Sequence, residues 1–503
     1  FLSRKGSDNT PMMVDEAIRQ LKDLARLGSN RPGDLVTTNS KLYDALTTNV
    51  KAKPEKGQNE RDVCFFDFQH LEQNDFAIAE EVSYICGLTN KNSRPDIVVY
   101  VNGIALAVIE LKRSIVSLDE GIKQNLSNEK DLIPSFFTTT QFTVAASDKN
   151  GFEYGTIGTP RKFWCPWKKD GSTVNNETDE VKNVDNPPLE DKAAFRSFFN
   201  KDTFMHLVRY GVIDDGGTKK VMRPHQYYAL RAAMPRLKAK ADGVIWHSQG
   251  SGKSLTMVWL AKYIHSNFED PRVLVITDRT ELDSQIQNAF LRSNEDAIKA
   301  SSSDDLLDLL AGGEQWLICS LIHKFGKHID PETGKEVVGD DNAPIPLEKY
   351  LDELKKIVAK KYPNGFKAKG TNKFVFVDEC HRTQGGRLHE AMRLIMGDDV
   401  MFIGFTGTPL LKEQKKRGGF AEYKKAKNTS EIRFGAFIHT YLHKEAVADK
   451  VILDLQYEGR NVEQEIRSKD KLDEKLNQLL AETSEENQQL IKDRWATLEK
   501  VYS

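Results

Sequence analysis

A glycine-rich loop, His247-Ser-Gln-Gly-Ser-Gly-Lys-Ser254, combines residue types that could bind a polyphosphate. A short apolar run precedes it and a run with helical spacing follows it, so the loop would join a strand to a helix. Its glycines would let backbone amides turn towards phosphates, and the helix start would add its dipole. Lys253 would reach the β and γ phosphates, and the Ser254 hydroxyl would take a place on Mg²⁺. The residues predicted to bind ATP and Mg²⁺ are Gly250, Ser251, Gly252, Lys253 and Ser254.

An acidic pair follows another apolar run further along the chain. Residues 374–377 are predicted to form a strand, and Asp378 and Glu379 come directly after it. At the carboxyl end of a parallel strand, both carboxylates would face the same crevice as the phosphate loop. Asp378 could hold Mg²⁺, and Glu379 could orient and deprotonate the attacking water. The pair therefore predicts hydrolysis of the bound nucleotide.

Three charged residues flank a predicted hairpin nearer the start of the chain. Asp96 precedes one apolar run, Glu110 and Lys112 end the next, and Asn102-Gly103 separates the two runs, which is a strong signal of a tight hairpin. Because strand side chains alternate, Glu110 and Lys112 share one face. A strict two-residue loop would leave Asp96 on the opposite face from Glu110. A three-residue loop with Gly103 left-handed, or an equivalent bulge, would put all three on one face, and we predict this second geometry.

Two carboxylates with a nearby lysine are what metal-assisted cleavage of a phosphodiester needs. Asp96 and Glu110 would hold Mg²⁺, and Lys112 would position the attacking hydroxide or offset developing charge. The alternative is that the three residues are the solvated ends of an ordinary hairpin. The residues by themselves leave both interpretations open.

The order of apolar runs predicts the elements that must position these groups. Before residue 165 the runs are mostly strand-like, which indicates a strand-rich α/β block. From about residue 243 short strands alternate with helical segments, which is typical of a parallel, doubly wound sheet. The predicted fold class is therefore α/β, with a mixed-sheet domain followed by a doubly wound parallel-sheet domain.

Composition limits the classes of protein that fit. The 503 residues are 39% hydrophobic and 29% charged, which excludes a disordered or collagen-like chain. The formal charge of −2 gives no sign of nucleic-acid binding, although a local basic groove could lie within a balanced total. The five cysteines are never spaced C-x-x-C, which indicates a reducing compartment. No apolar run is long enough to span a bilayer, so we expect an intracellular protein without a membrane partner.

Five motifs in sequence order resemble the first motor domain of superfamily-two helicases. They are Arg223-Pro-His-Gln226, His247–Ser254, Val275–Gln285, Asp378-Glu-Cys-His381 and Thr406-Gly-Thr-Pro409. The resemblance implies a RecA-like fold and ATP-driven translocation along nucleic acid. It implies that Gln226 reads adenine and that Thr406 and Thr408 couple hydrolysis to movement, with Arg223 and His381 as further candidate site residues. A metabolic P-loop kinase is the alternative.

The pattern formed by Asp96, Glu110 and Lys112 resembles the PD-(D/E)xK nuclease fold. Its place upstream of a helicase-like motor favours the cleavage interpretation over the ordinary hairpin. Gln124 would start a helix beside the site and resembles the glutamine of a Q-x-x-x-Y motif in related nucleases. Position 128 is Asn rather than Tyr, so a surface glutamine is the alternative for Gln124.

A nuclease followed by such a motor is the order found in the restriction (R) subunit of type I restriction-modification enzymes. The chain resembles that family over about residues 60–460, and His247 in place of the first P-loop glycine is familiar there. The resemblance implies an endonuclease domain at 1–195, a linker at 196–217, a first RecA-like motor domain at 218–435, and the incomplete start of a second one at 436–503.

The resemblance also implies a function and partners. Methyltransferase (M) and specificity (S) subunits would recognise duplex DNA in the bacterial cytoplasm, while the R subunit hydrolyses ATP, translocates the DNA and cuts it with Mg²⁺. A single-chain restriction enzyme, or a superfamily-two RNA helicase with an N-terminal binding module, is the alternative. The chain begins at Phe1, and no arginine-bearing motif follows Thr406–Pro409. We therefore expect an N-terminal fragment that hydrolyses ATP poorly by itself.

Overall fold

The structure is a computed structural model, and it describes residues 1–4, 7–27, 35–168, 192–277, 280–321, 347–380, 386–397, 399–408 and 434–454. All but the last two of these residues belong to one unit, Phe1–Ile452. Within the described ranges, no helix is both long enough and apolar enough to cross a membrane.

The N-terminal region, residues 1–168, is built around a mixed sheet. Its helices are α1 (Pro11–Leu27), α2 (Leu35–Thr48) and α3 (Leu118–Ser127). Its strands are β1 (Val50–Ala52), β2 (Arg61–Val63), β3 (Phe76–Glu80), β4 (Tyr84–Cys86), β5 (Lys91–Ser93), β6 (Ile97–Val101), β7 (Ile104–Lys112), β8 (Phe142–Ser147), β9 (Gly151–Gly155) and β10 (Cys165–Pro166). Six of these strands form one sheet in the order β10-β9-β8-β7-β6-β3. Only β7 and β8 run parallel in it, and α3 connects them.

The prediction of a three-residue loop in the β6–β7 hairpin is wrong. Val101 pairs with Ile104, so the turn has two residues, and both adopt left-handed conformations, with φ of 51° at Asn102 and 78° at Gly103. Positive φ at both central residues is what the favoured two-residue hairpin turn requires. A bulge then shifts the register, because Tyr100 pairs with Ala105 whereas Val99 pairs with Ala107.

This bulge gives Leu106 no partner of its own on β6 and changes which side chains lie opposite one another. Beyond the bulge, Ile97 pairs with Ile109. The next positions along the two strands, Asp96 and Glu110, therefore lie directly across from each other. One extra residue reverses the parity of a strand. The alternative bulge therefore achieves the predicted outcome, with the three charged residues brought to one side.

The junction between the two regions is helical and packed. After α4 (Ala193–Phe198) come α5 (Lys201–Tyr210) and the hairpin of β11 (Val212–Asp214) and β12 (Lys219–Val221). Phe204 of α5 packs on Phe142 of β8, with ring centroids 5.6 Å apart, and Trp167 packs on Tyr227, with centroids 5.0 Å apart. The prediction of a linker at 196–217 is therefore wrong, because this segment forms helices and a strand that contribute buried residues to a continuous apolar core.

The C-terminal region forms a parallel sheet covered by helices. The elements are α6 (Pro224–Lys238), β13 (Gly243–His247), α7 (Lys253–Asn267), β14 (Pro271–Thr277), α8 (Thr280–Arg292), β15 (Ala297–Lys299), α9 (Ser303–Gly312), β16 (Leu317–Leu321), α10 (Leu347–Lys361), β17 (Asn372–Val377), α11 (Gly386–Met396), β18 (Val400–Thr406), β19 (Phe437–Tyr441) and α12 (His443–Ala448). Seven strands form the sheet in the order β15-β16-β14-β17-β18-β13-β19, with every pairing parallel.

Both faces of this sheet are buried, which confirms the doubly wound prediction. Along β14, Val273 and Val275 belong to one apolar cluster, while Leu274 and Ile276 belong to another. Alternate side chains that each find a core are typical of a parallel sheet covered on both faces. Since β19 pairs with β13, the boundary predicted at residue 436 falls inside this sheet, one strand too early.

Two candidate active sites

The first site lies where β6 and β7 meet the start of α3. Asp96 precedes β6, and its Oδ2 accepts a hydrogen bond of 2.7 Å from the backbone amide of Leu111. The Glu110 side chain is fully buried, and its Oε2 lies 4.0 Å from Nζ of Lys112. The structure therefore brings together the three residues that the sequence singled out.

Gln124 contacts the same site, from the second turn of α3. Its Oε1 accepts a hydrogen bond of 2.5 Å from Nζ of Lys112. The prediction that a helix starts at Gln124 is wrong, because Ser117 caps α3 by accepting from the Asp119 amide and the helix begins at Leu118. Gly121 allows the close approach, since a Cβ there would lie 3.0 Å from Cβ of Ala145 and 3.3 Å from Cγ of Lys112.

Asn128 is a site residue that the sequence reasoning did not select. It is fully buried at the start of a π-helical turn, Asn128–Leu132, and its Nδ2 donates a hydrogen bond of 3.0 Å to Oε1 of Glu110. Its Oδ1 accepts a hydrogen bond of 2.8 Å from Ser93. A signal was available, because residues four apart on a helix share a face and Asn128 is four residues after Gln124.

The electrostatics of this site favour a proton on Glu110 when no cation is bound. Burial, and then the neighbouring carboxylate of Asp96, raise the pKa of Glu110 to about 8, while Lys112 acts in the opposite direction. Glu110 Oε2 is buried and has no hydrogen-bond partner within the described ranges. A buried carboxylate oxygen beside a second carboxylate would be stabilised by a positive charge.

The second site lies at the carboxyl edge of the parallel sheet. Gly250 and Gly252 adopt left-handed φ values of 82° and 87°, and α7 begins immediately afterwards at Lys253. Such conformations suit glycine, and a Cβ at position 252 would lie only 2.9 Å from Nε2 of Gln226. Ser251 is buried in the loop and Ser254 is the second residue of α7. The loop thus joins a strand to a helix, as its sequence predicts.

The acidic pair after β17 reaches this loop. Oε1 of Glu379 lies 3.8 Å from Nζ of Lys253, and Asp378 is buried beside it in the chain, with its amide donating to the carbonyl of Ile276 at 2.8 Å. Glu379 adopts a φ of 45°, a conformation that few residues other than glycine take. His381 lies outside the described residues.

The Thr406–Thr408 segment also lies against the phosphate loop. A Cβ on Gly407 would come within 3.1 Å of the Gln249 amide nitrogen and 3.4 Å of Nζ of Lys253. Thr406 is fully buried, and its Oγ1 accepts a hydrogen bond of 3.1 Å from the amide of Thr408. The residues at the end of β18 and the phosphate loop therefore lie in direct contact.

Arg223 and Gln226 stand at the start of α6. Arg223 is the N-cap residue, and its backbone amide donates to Oε1 of Gln226 at 3.0 Å. Nε2 of Gln226 donates to the carbonyl of Gly252 at 3.2 Å. Both ends of the glutamine amide are thus engaged, one with its own helix start and one with the phosphate loop.

Two family models match successive parts of the chain. Residues 225–489, a little over half of the chain, match the model of the SWI2/SNF2 ATPase family. The chain belongs to this family. Residues 3–162 of this SWI2/SNF2 member match the N terminus of the type I restriction enzyme R protein. Together the two matches confirm the resemblance to type I restriction subunits.

Relatives of this chain are named as endonuclease subunits of type I restriction enzymes. The putative type I restriction enzyme MjaIXP endonuclease subunit of Methanocaldococcus jannaschii is 27% identical over 489 residues, covering 92% of this chain and 42% of that protein. The type I restriction enzyme HindI endonuclease subunit of Haemophilus influenzae is 27% identical over 488 residues, covering 90% and 41%. The chain thus spans about two fifths of the length of these relatives.

Among solved structures, the chain is similar to an ATP-dependent Type ISP restriction-modification enzyme, LlaBIII, bound to DNA. The TM-score is 0.30 and the identity 12%, over 46% of this chain and 16% of the other. The UvsW helicase from bacteriophage T4 gives a TM-score of 0.26 and 16% identity, over 42% of this chain and 60% of the other.

Proposed function

We propose that this chain is the nuclease and motor part of the R subunit of a type I restriction enzyme. The motor would hydrolyse ATP to translocate duplex DNA, and the N-terminal domain would cut that DNA with Mg²⁺. The observation that carries the proposal is that one chain holds two separate sites. In one, the buried carboxylate of Glu110 lies beside Asp96 and Lys112, and in the other the P-loop lysine lies beside a carboxylate. A nuclease alone would not need the second site, and a nucleotide-driven motor alone would not need the first.

The first site fits Mg²⁺ held by two carboxylates. Within the described ranges, no group of three or more His, Cys, Asp or Glu side chains could hold a metal ion. Mg²⁺ commonly binds to one or two carboxylates and completes its shell with water and substrate phosphate. The buried Oε2 of Glu110, beside Asp96 and without a hydrogen-bond partner, suits that arrangement. Asp96 and Glu110 would hold the ion, which when bound supplies Lewis-acid stabilisation and an activated water.

The other side chains of this site would orient its charged groups and neutralise charge on the scissile phosphate. Lys112 would offset the negative charge that develops on the scissile phosphate, since its ammonium lies on the same side as the carboxylates. Gln124 holds that ammonium through its amide oxygen, and Asn128 holds one oxygen of Glu110. The amide of Leu111 holds Oδ2 of Asp96, which fixes the orientation of that carboxylate beside Glu110.

The second site would bind and hydrolyse ATP. Lys253 would contact the β and γ phosphates, with the backbone amides of Gly250, Ser251 and Gly252 around them. Ser254 and Asp378 would hold Mg²⁺. Without nucleotide, Nζ of Lys253 lies 3.8 Å from Glu379. When Lys253 pairs with the phosphates instead, Glu379 would accept the proton of the attacking water. Gln226, Thr406 and Thr408 would read the base and transmit hydrolysis, as the family resemblance implies.

The proposed partners are duplex DNA and the M and S subunits, in the bacterial cytoplasm. We would purify the tagged full-length gene product from its native host and identify the proteins bound to it by mass spectrometry. Recovery of separate methyltransferase and specificity subunits is the expected result. One long chain alone would favour a single-chain restriction enzyme, and an RNA-processing partner would contradict the restriction function.

The two proposed activities can be tested in that complex. Asp96→Ala is expected to abolish DNA cleavage and to leave ATP hydrolysis and translocation near their normal rates. Lys253→Ala is expected to abolish all three. If Asp96→Ala changed none of the activities, the N-terminal region would be a binding module rather than a nuclease.

A further inference from the structure

Three histidines from three elements meet beside the phosphate loop. His225 lies on α6, His247 ends β13 and His439 lies on β19. Nε2 of His247 and Nδ1 of His439 are 2.9 Å apart, and the ring of His225 meets that of His247 edge-on, with centroids 5.4 Å apart. His225 is also stacked in parallel on Tyr441, with centroids 4.0 Å apart. None of these side chains has a role in the chemistry proposed above.

Burial keeps these imidazoles uncharged, and this fixes the hydrogen-bonding role of His225. Burial lowers the pKa of His225 to about 3 and that of His439 to about 4. Nε2 of His225 lies 2.9 Å from the carbonyl oxygen of Ser251. Because a carbonyl only accepts and a neutral imidazole carries one N–H, the hydrogen of His225 must be on Nε2.

Consecutive residues of α6 therefore hold consecutive carbonyls of the phosphate loop. His225 donates to Ser251 and Gln226 donates to Gly252, at 2.9 and 3.2 Å. In a planar trans peptide the C=O of one residue and the N–H of the next point in opposite directions. Holding the Ser251 carbonyl towards α6 thus turns the Gly252 amide to the other side, where a phosphate would accept from it. The Gly252 carbonyl also accepts from the Thr256 amide at 3.1 Å, within α7.

We propose that His225 is a positioning residue of the nucleotide site, which orients the Gly252 amide through its hydrogen bond to the Ser251 carbonyl. Tyr441 and His247 fix its ring in the required orientation. The inference rests on the proposed function, because it requires that the loop bind nucleotide phosphates. It predicts that the donor at position 225, rather than the bulk of the side chain, sets nucleotide affinity.

Three substitutions in the full 503-residue chain separate donor from bulk. His225→Gln keeps a donor at a similar distance but loses the ring, His225→Phe keeps a ring but loses the donor, and His225→Met matches glutamine in length without donating. Affinity is measured by fluorescence titration with mant-ADP and Mg²⁺, and melting temperature is recorded for each chain. We expect the Phe and Met variants to bind about tenfold more weakly, and the Gln variant to stay within about threefold of wild type.

His206 supplies a matched control, because it is a buried histidine of α5 that contacts Met234 and the Tyr227 ring rather than the phosphate loop. His206→Phe is expected to change melting temperature without changing mant-ADP affinity. Equal affinity of all three position-225 variants and wild type would overturn the inference, and so would equal weakening of the Gln and Met variants. Failure of the wild-type chain to bind mant-ADP, or undiminished binding by Lys253→Ala, would instead contradict the proposed nucleotide site. Should the Phe variant not fold, the Gln and Met pair still decides.

Discussion

In the mixed sheet, side chains hold in place the cluster formed by Asp96, Glu110 and Lys112. In the parallel sheet, glycine backbone conformations shape the phosphate loop. In the cluster, Asn128 holds Glu110 and Gln124 holds Lys112, both at hydrogen-bonding distance. In the loop, positive φ at Gly250 and Gly252 sets the path of the chain. The cluster should therefore respond mainly to changes of charge and donor. The loop should respond both to loss of the donors on α6 and to the addition of a methyl group at Gly250 or Gly252.

The difference also concerns protonation. The cluster region contains two buried carboxyl groups, Glu110 and Glu129, whose pKa values are both raised to about 8, mainly by burial. At the phosphate loop, Glu379 instead lies 3.8 Å from the ammonium of Lys253. Raising the pH through about 8 should thus remove protons from buried carboxyl groups of the first region. The buried imidazoles beside the phosphate loop, with pKa values of about 3 and 4, would take up protons only in acid.

The largest expected effect tests whether the two sites are chemically separate. In the proposed complex with M and S subunits, Glu110→Ala should lower DNA cleavage by at least about 1000-fold, equivalent to about 4 kcal/mol of activation free energy, because one of the two carboxylates proposed to bind Mg²⁺ is lost. Its ATP hydrolysis should remain within about twofold of wild type. Plasmid cleavage and phosphate release measure the two rates, and an equal loss of both would break the comparison.

A smaller effect, on stability, tests the role of burial at Glu129. This carboxyl group is 4% exposed and accepts a hydrogen bond of 2.8 Å from the amide of Gly158. Its ordinary pKa is 4.5, and burial raises the pKa to about 8 in the folded chain. Between those values the folded chain keeps a proton that the unfolded chain releases, so the free energy of unfolding falls as pH rises from about 5 to 8.

Glu129→Gln should remove its share of this slope, which is at most about 1.4 kcal/mol per pH unit. Urea denaturation of both chains at pH 5.5 and pH 8 provides the measurement. Glu80→Gln, an exposed position on β3, is the control and should leave the slope unchanged. A Glu129→Gln chain that loses stability with pH as steeply as wild type would contradict this account.

The smallest predicted effect sharpens the role of Asn128. Asn128→Ala removes the donor to Glu110, so the Mg²⁺ concentration for half-maximal cleavage should rise about three- to tenfold, equivalent to about 1 kcal/mol. Asn125→Ala is the matched control, because that buried asparagine of α3 donates at 3.0 Å to the carbonyl of Val144 instead. It should lower stability without changing the Mg²⁺ requirement. A shift of similar size in both variants would indicate that only the packing of α3 matters.

The same contrast explains how far the sequence could predict the structure. The phosphate loop, the acidic pair after β17 and the doubly wound sheet follow from short-range patterns, because a glycine turn between a strand and a helix is specified by adjacent residues. The face shared by Asp96, Glu110 and Lys112 depends on register, and the sequence left that open between a loop and a bulge. The bulge at Leu106 has no distinctive local pattern, so only the paired strands reveal it.

Other features depended on contacts between distant residues. The motif of related nucleases has a tyrosine at position 128, and the sequence alone does not indicate that an asparagine there can also hold a carboxylate from that helix face. The boundary at 436 came out too early because β19 pairs with β13, almost 200 residues before it in the chain. The segment 196–217 looked like a linker because its apolar residues find their partners only in the two flanking domains.

That segment has a consequence for how the protein loses its structure. Phe204 packs on the mixed sheet, Trp167 packs on the first helix of the parallel-sheet region, and one uninterrupted core runs between them. Unfolding of either domain would expose aromatic side chains of the other. We therefore expect that neither domain stays folded after the other has unfolded. Heating should therefore melt residues 1–452 in a single calorimetric transition rather than as two independent steps.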